Sequence, residues 1–265
     1  MAIKGLKTRS ITAVVFGLVV ITMILASSYT SIILLGLIGM GCSMEYDRVS
    51  TGKNRYPIII GLFLLGIISF HINGWPSLPP YFLFIPIIGH MILYVFLWDK
   101  EARFPHHSYS LLIILLYILI PILGMCQYVW NQDNGLWILL SIIILIWTSD
   151  TGAYITGNLL GKRKLMPRVS PNKSVEGFLG AGALSVIVGG VIYYFIPDKS
   201  ITWWISFSGM VWLIGSLGDL VQSSIKRKYE VKDSGNLLPG HGGVWDRFDS
   251  FIMVLPMALI WIYYF

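Results

Sequence analysis

The chain has 265 residues, 55% hydrophobic and 12% charged, with a mean hydropathy of +0.73 and a formal net charge of +6. A soluble domain carries roughly 25% charged residues, and half that complement cannot clothe a globule of this size in water. The composition therefore excludes a soluble enzyme, a disordered chain, a coiled coil and a disulfide scaffold. Cys42 and Cys126 both lie in apolar runs and read as small hydrophobes rather than as a redox pair or a zinc site. In a membrane protein basic residues report topology and attraction to anionic headgroups, so the positive charge does not call for nucleic acid as a partner.

A helix needs about 20 apolar residues to cross a bilayer, within a range of roughly 17–25. The charge-free run Ser10–Met44 is too long for one crossing, and Ser27-Ser28 divides it into Ile11–Ala26 and Thr30–Met44. The turn residues Asn73-Gly74-Trp75-Pro76 and Pro79-Pro80 split the next run, giving Pro57–Ile72 and Tyr81–Trp98. Five further spans are expected near Ser108–Trp130, Leu136–Ser149, Phe178–Ile196, Ile201–Leu217 and Phe251–Phe265. The prediction is an all-α polytopic membrane protein of about nine transmembrane helices. With the N-terminus in the cytoplasm and the C-terminus outside, every Lys and Arg except Lys199 falls on the inner side, as the positive-inside rule requires. A secretory-signal reading of the first segment is weaker, because the later alternation needs that segment as a span.

The two parts of the chain differ in character. Residues 1–149 read as about six spans with short loops, a scaffold with lipid access. Residues 150–265 read as the catalytic region, with two long cytoplasmic loops expected at Asp150–Gly177 and Gly218–Ser250. Asp150 and Asp219 stand at the inner ends of apolar runs, and Asp246 and Asp249 stand just before the last one. A carboxylate in a membrane segment is costly and by default suggests a functional site; singly, each is also readable as an interfacial group paired with Lys or Arg. On a helix, Asp219, Ser223 and Lys226 share one stripe and Asp246 and Asp249 share a face. Such hard oxygen ligands suit Mg²⁺, which takes one or two carboxylates plus substrate phosphates.

Lys226-Arg227-Lys228 and Lys232 are interleaved with Asp219, Asp233, Asp246 and Asp249, a pattern for neutralising phosphates. His241-Gly242-Gly243 precedes an expected helix start. There paired glycines let backbone amides approach an anion, although an ordinary glycine loop has the same look. In the other loop, Lys173-Ser174 opens a helix and can hold phosphate. The run Gly157-Asn158-Leu159-Leu160-Gly161-Lys162-Arg163 fails as a P-loop: it has three residues between the glycines rather than four, and Arg163 where Ser or Thr is needed. Ala153, Gly157 and Gly161 read instead as a small-residue packing face. His71 and His90 read as packed or interfacial, and His106 and His107 as solvated.

The stretch Ser223–Asp249 resembles the signature of phosphatidate cytidylyltransferases, also called CDP-diacylglycerol synthases. It is carried by Ser223-Ser224-Ile225-Lys226-Arg227, Lys232-Asp233-Ser234-Gly235 and Leu238-Pro239-Gly240-His241-Gly242-Gly243-Val244-Trp245-Asp246-Arg247-Phe248-Asp249. The resemblance extends to Asp150-Thr151-Gly152-Ala153-Tyr154, to Gly161-Lys162 and to Ser170–Gly177, where Asn172 replaces a Lys common in the family.

The resemblance implies transfer of a cytidylyl group from CTP to phosphatidic acid, giving CDP-diacylglycerol and pyrophosphate. It also implies a Mg²⁺ requirement, a homodimer, and a site open to the cytoplasm and the inner leaflet of the plasma membrane; a monovalent cation such as K⁺ beside Mg²⁺ stays open. Under it, Asp219, Asp246, Asp249 and Asp150 are expected as metal ligands, with Asp219, Asp246, Asp249 and Lys226 carrying the chemistry. Lys173, Ser174, Ser223, Arg227, Lys232, Asp233, His241, Gly242, Gly243 and Arg247 are expected to bind substrate. A CTP-dependent lipid-alcohol kinase is the alternative enzyme. A transporter fits less well, because its functional charges belong near mid-membrane.

Overall fold

The computed structural model describes residues 2–53, 55–72, 84–98, 110–236 and 242–265. Its helices are α1 (Ala2–Ala26), α2 (Ser28–Thr51), α3 (Tyr56–Ile72), α4 (Phe84–Trp98), α5 (Ser110–Asn131), α6 (Gly135–Leu160), α7 (Val175–Phe195), α8 (Ile201–Lys228) and α9 (Trp245–Tyr264). Among the described residues, six of them (α2 and α5 to α9) are long and apolar enough to cross a membrane. The turn expected at Asn73–Pro80 lies outside the described residues, as do Tyr81, Lys100, Arg103, His106, His107 and Leu238–His241.

Local chemistry sets the helix ends. Ser27, Ser174 and Ser200 are N-caps whose hydroxyls accept the amides of Thr30 at 3.2 Å, Gly177 at 3.1 Å and Trp203 at 3.1 Å, each satisfying an otherwise orphaned donor. Gly52 closes α2 at φ 65° and donates to the Arg48 carbonyl, a left-handed cap that glycine adopts without penalty. In α5 the residues Ile114–Leu119 form a π-turn, and Ile120 donates to Leu115, five residues back. Pro121 follows directly, and it has no amide with which to continue an ordinary register.

Two features refine the expected all-α layout. The segments read as loops, Asp150–Gly177 and Gly218–Ser250, are helical over much of their length. Helix α6 runs on to Leu160 and α8 to Lys228, and α9 begins at Trp245. A charge ends an apolar run but not a helix, since the backbone bonds continue regardless of the side chain. The chain is also not purely helical. Strands β1 (Lys164–Met166) and β2 (Ser170–Ser174) pair antiparallel, with Lys164 opposite Ser174 and Met166 opposite Ser170.

Helix α9 occupies the middle of the bundle, touching α2, α4, α5, α6 and α8. Nearly every side chain from Phe248 to Leu259 is buried, as expected of a helix apolar on all sides. Helices α6 and α7 pack through small residues. Gly157 faces Gly177, Gly152 faces Ala181, and a methyl group built on Gly180 would lie 2.3 Å from the Thr156 side chain. Lipid is as apolar as leucine, so close backbone approach rather than hydrophobic burial holds such a seam. The small-residue face read from Ala153, Gly157 and Gly161 is thus part of the α6–α7 interface.

One end of the bundle collects the C-terminal turns of α2, α6 and α8, the N-terminal turns of α7 and α9, and the β-hairpin. The ion pairs Lys173–Asp219 and Lys226–Asp246 and the Glu45 contacts to Val244 and Trp245 all lie there. The opposite end carries Asn134, whose amide donates to Asp198.

Candidate active site

A cavity of about 710 Å³ opens at this end. Helix α6 lines it with Ser149, Asp150, Tyr154 and Asn158, and the hairpin with Leu165, Asn172, Lys173 and Ser174. Helix α8 adds Ser216, Asp219, Gln222 and Lys226, and α9 adds Asp246, Arg247, Asp249 and Ser250, with Asp233 from the segment between them. All four carboxylates singled out in the sequence, drawn from three helices, border this one cavity.

Their surroundings differ. Asp219 meets the Lys173 ammonium at 2.5 Å and accepts the Ser223 hydroxyl at 3.2 Å, so the expected Asp219–Ser223 stripe exists. Asp249 is buried, accepts the Ser250 amide at 2.7 Å, and is repelled by the charges of Asp219 and Asp150. Asp150 is exposed into the cavity and senses Asp219, Lys173 and Arg247. Three carboxyl groups thus share one hollow, and Lys173 is the cation that pairs directly with one of them.

Asp246 is committed elsewhere. Its Oδ1 accepts Lys226 Nζ at 2.7 Å and Gln222 Nε2 at 3.2 Å, and its Oδ2 accepts the backbone amides of Ser234 and Gly243, both at 2.9 Å. A carboxylate offers about four acceptor positions, and here each has a donor. Lys226, expected to share a stripe with Asp219, reaches instead across to α9.

The expected anion site at the start of α9 is likewise filled from within. The Gly243 amide goes to Asp246, while Val244 and Trp245 donate to Glu45 Oε1 and Oε2 at 2.9 and 3.0 Å. Gly242 has φ 83°, and a Cβ there would come within 2.7 Å of Asp246 Oδ2. The glycine pair is needed so that protein carboxylates can approach the backbone. Glu45 was not legible as a site residue; its only signal was a carboxylate at the C-terminal end of the second apolar run.

Other expected binding residues fall at varied distances from the cavity. Ser174 borders it but uses its hydroxyl to cap α7. Arg227 points away and donates to the Val231 carbonyl at 3.4 Å. Lys232 is exposed outside the lining, and His241 lies outside the described residues. Rejection of the P-loop agrees with the geometry: the amides of Lys162 and Arg163 both donate to Glu176 Oε2, at 3.0 and 3.1 Å.

The arrangement suits a polyanionic substrate, with lysines and an arginine around a carboxylate-lined hollow at one end of a membrane-type bundle. Comparison with known proteins gives relatives of matching character. A phosphatidate cytidylyltransferase of Staphylococcus aureus (strain COL) is 33% identical over 260 residues, which is 96% of this chain and 98% of that protein. Another, from Staphylococcus haemolyticus (strain JCSC1435), is 45% identical over 139 residues, about half of each chain at 52% and 54%. A third, from Staphylococcus saprophyticus (strain ATCC 15305), is 47% identical over 131 residues, 49% of this chain and 50% of the relative. The cytidylyltransferase family model matches residues 7–265, and the chain belongs to that family.

Proposed function

We propose that the chain transfers the cytidylyl group of CTP to phosphatidate, forming CDP-diacylglycerol and pyrophosphate. The observation that carries this reading is the gathering of Asp150, Asp219, Asp249, Lys173, Lys226 and Arg247 around one cavity in a chain whose relatives bear that name. The phosphatidate oxygen attacks the α-phosphorus, the bond from that phosphorus to the bridging oxygen breaks, and pyrophosphate leaves. A phosphomonoester has its second pKa near 6, by analogy with phosphorylated side chains. It is therefore largely an anion at neutral pH, and no side chain has to remove a proton.

The barrier is repulsion between two anions, so the chain contributes positioning and charge. Lys173 and Arg247, on two walls of the cavity, are placed to hold phosphates of the two substrates. Lys226 keeps Asp246 in register and adds positive potential on the α8 side. The cavity is of a size typical for a small-molecule site, about 300–1,000 Å³.

The residues present fit Mg²⁺ as a set of hard oxygen donors. Among the described residues no group of three or more His, Cys, Asp or Glu is arranged to hold a metal ion; in a phosphate-transfer site Mg²⁺ takes one or two carboxylates and completes its shell with water and substrate. Asp219 and Asp249 would hold it, with Asp150 alongside. Bound there, Mg²⁺ supplies neutralisation of phosphate charge. Asp246, expected as a ligand from the sequence, is assigned instead to organising the segment that joins α8 to α9, because all its acceptor positions are used.

The nine-span topology with an internal N-terminus, a homodimeric state and a cytoplasm-facing cavity in the bacterial plasma membrane are part of the same proposal. The positive-inside distribution of Lys and Arg supports the orientation. The test is turnover by the purified chain in detergent with phosphatidate, CTP and Mg²⁺: CDP-lipid and pyrophosphate are expected in equal amounts.

A further inference from the structure

We infer that Glu45, on α2, is a positioning residue for this transferase site: it fixes the backbone that carries Asp246, Arg247 and Asp249. The inference rests on the cytidylyl-transfer reading. The first amides of a helix have no partner within it and form a ready anion site. At α9 that anion is the Glu45 carboxylate, which takes Val244 N–H at 2.9 Å and Trp245 N–H at 3.0 Å. The Ser234 hydroxyl donates to Glu45 Oε2 at 2.5 Å, and Arg48, one turn further along α2, donates to the Ser234 carbonyl at 2.5 Å.

The backbone is shaped around this carboxylate. A Cβ on Gly243 would lie 2.1 Å from Glu45 Oε2, and one on Gly235 would lie 2.4 Å from Oε1. Asp246 grips the same two stretches from the other side, through the amides of Ser234 and Gly243. Ser234 is therefore held by both carboxylates, and the segment entering α9 is clamped between α2 and its own first turn. Glu45→Ala leaves two amides and a hydroxyl without their acceptor at the point where the cavity wall begins, and Glu45→Gln replaces one of the two acceptor oxygens with a donor. The bonds all land on residues 234–245, so the loss falls on the site's geometry more than on the bundle.

The test uses the full-length chain in detergent with the variants Glu45→Gln, Glu45→Ala, Gly235→Ala and Glu45→Ala/Gly235→Ala. Glu45→Gln is expected to melt within about 3 °C of wild type and to keep its KM for CTP within about threefold, while kcat falls at least about tenfold. Hydrogen exchange in the peptide spanning 234–246 should quicken with no change elsewhere. Gly235→Ala alone should impair turnover, but the same change in the Glu45→Ala background should cost about tenfold less, because the colliding oxygen is gone. A kcat for Glu45→Gln equal to wild type, unchanged exchange in that peptide, or multiplicative effects of Glu45→Ala and Gly235→Ala would each overturn the inference. Failure of wild type itself to turn over CTP and phosphatidate would instead overturn the function on which it rests.

Discussion

Lys226 on α8 and Asp246 on α9 meet at 2.7 Å with side chains only 12% and 8% exposed. The pair closes one side of the cavity, and Asp246 has two further amide donors behind it. Deleting one member of a buried pair strands the other charge, at a cost of about 3–5 kcal/mol. Lys226→Met and Asp246→Asn should therefore each lower the melting temperature and turnover. Lys226→Met/Asp246→Leu should regain part of the thermal stability but none of the activity. Melting curves in detergent read beside initial rates check this. Recovery of activity in the double variant would mean that the pair is scaffolding alone.

Asp219 and Asp246 should respond differently to metal. Asp219→Asn is expected to raise the Mg²⁺ concentration for half-maximal rate by at least about tenfold, equivalent to about 1.4 kcal/mol. Asp246→Asn should lower the maximal rate with little change in that concentration, since its oxygens are occupied by protein donors. Rate against Mg²⁺ concentration for both variants is the check, and a matching shift in the two would return Asp246 to the metal.

The contrast between these aspartates shows what the sequence carries and what it does not. The apolar runs were long enough to place each helix, and carboxylates at their ends were conspicuous because membrane segments seldom carry them. What residue spacing did not disclose was which donor each carboxylate would find. Asp219 and Lys226 lie on one helical stripe, yet Lys173, far off in sequence, takes Asp219 and frees Lys226 for Asp246. Glu45 was invisible for the same reason: its partners are two backbone amides at the start of α9 and a hydroxyl, all about 190 to 200 residues away in sequence. Helices α6 and α8 run past their apolar runs to Leu160 and Lys228; the stripe of Asp219, Ser223 and Lys226 made part of that continuation legible, while polarity marked only the end of the apolar environment.

The α6–α7 seam gives a packing prediction. A methyl group at Gly180 would meet Thr156 Cγ2 and Oγ1 at 2.3 Å, and overpacking of this kind costs about 1–3 kcal/mol. Gly180→Ala should lower the melting temperature, and it should cost much less in a Thr156→Gly background, which also removes the Thr156 Cβ that would lie 2.6 Å away. Additive effects in the thermal scan would show that the helices separate rather than clash.

Topology has its own test. Cys42 and Cys126 are buried, so a membrane-impermeant maleimide reports added cysteines. Lys199→Cys should label on intact cells, and Lys164→Cys only after permeabilisation. The reverse pattern would invert the proposed orientation and place the cavity on the wrong side for a cytosolic nucleotide.

The most direct measurement follows the α-phosphate. Purified chain is incubated with phosphatidate, Mg²⁺ and CTP labelled at either the α or the γ position. The expected result is α-label in the lipid product and γ-label in released pyrophosphate. γ-label in the lipid with release of CDP, or no label in lipid from either position, would contradict it.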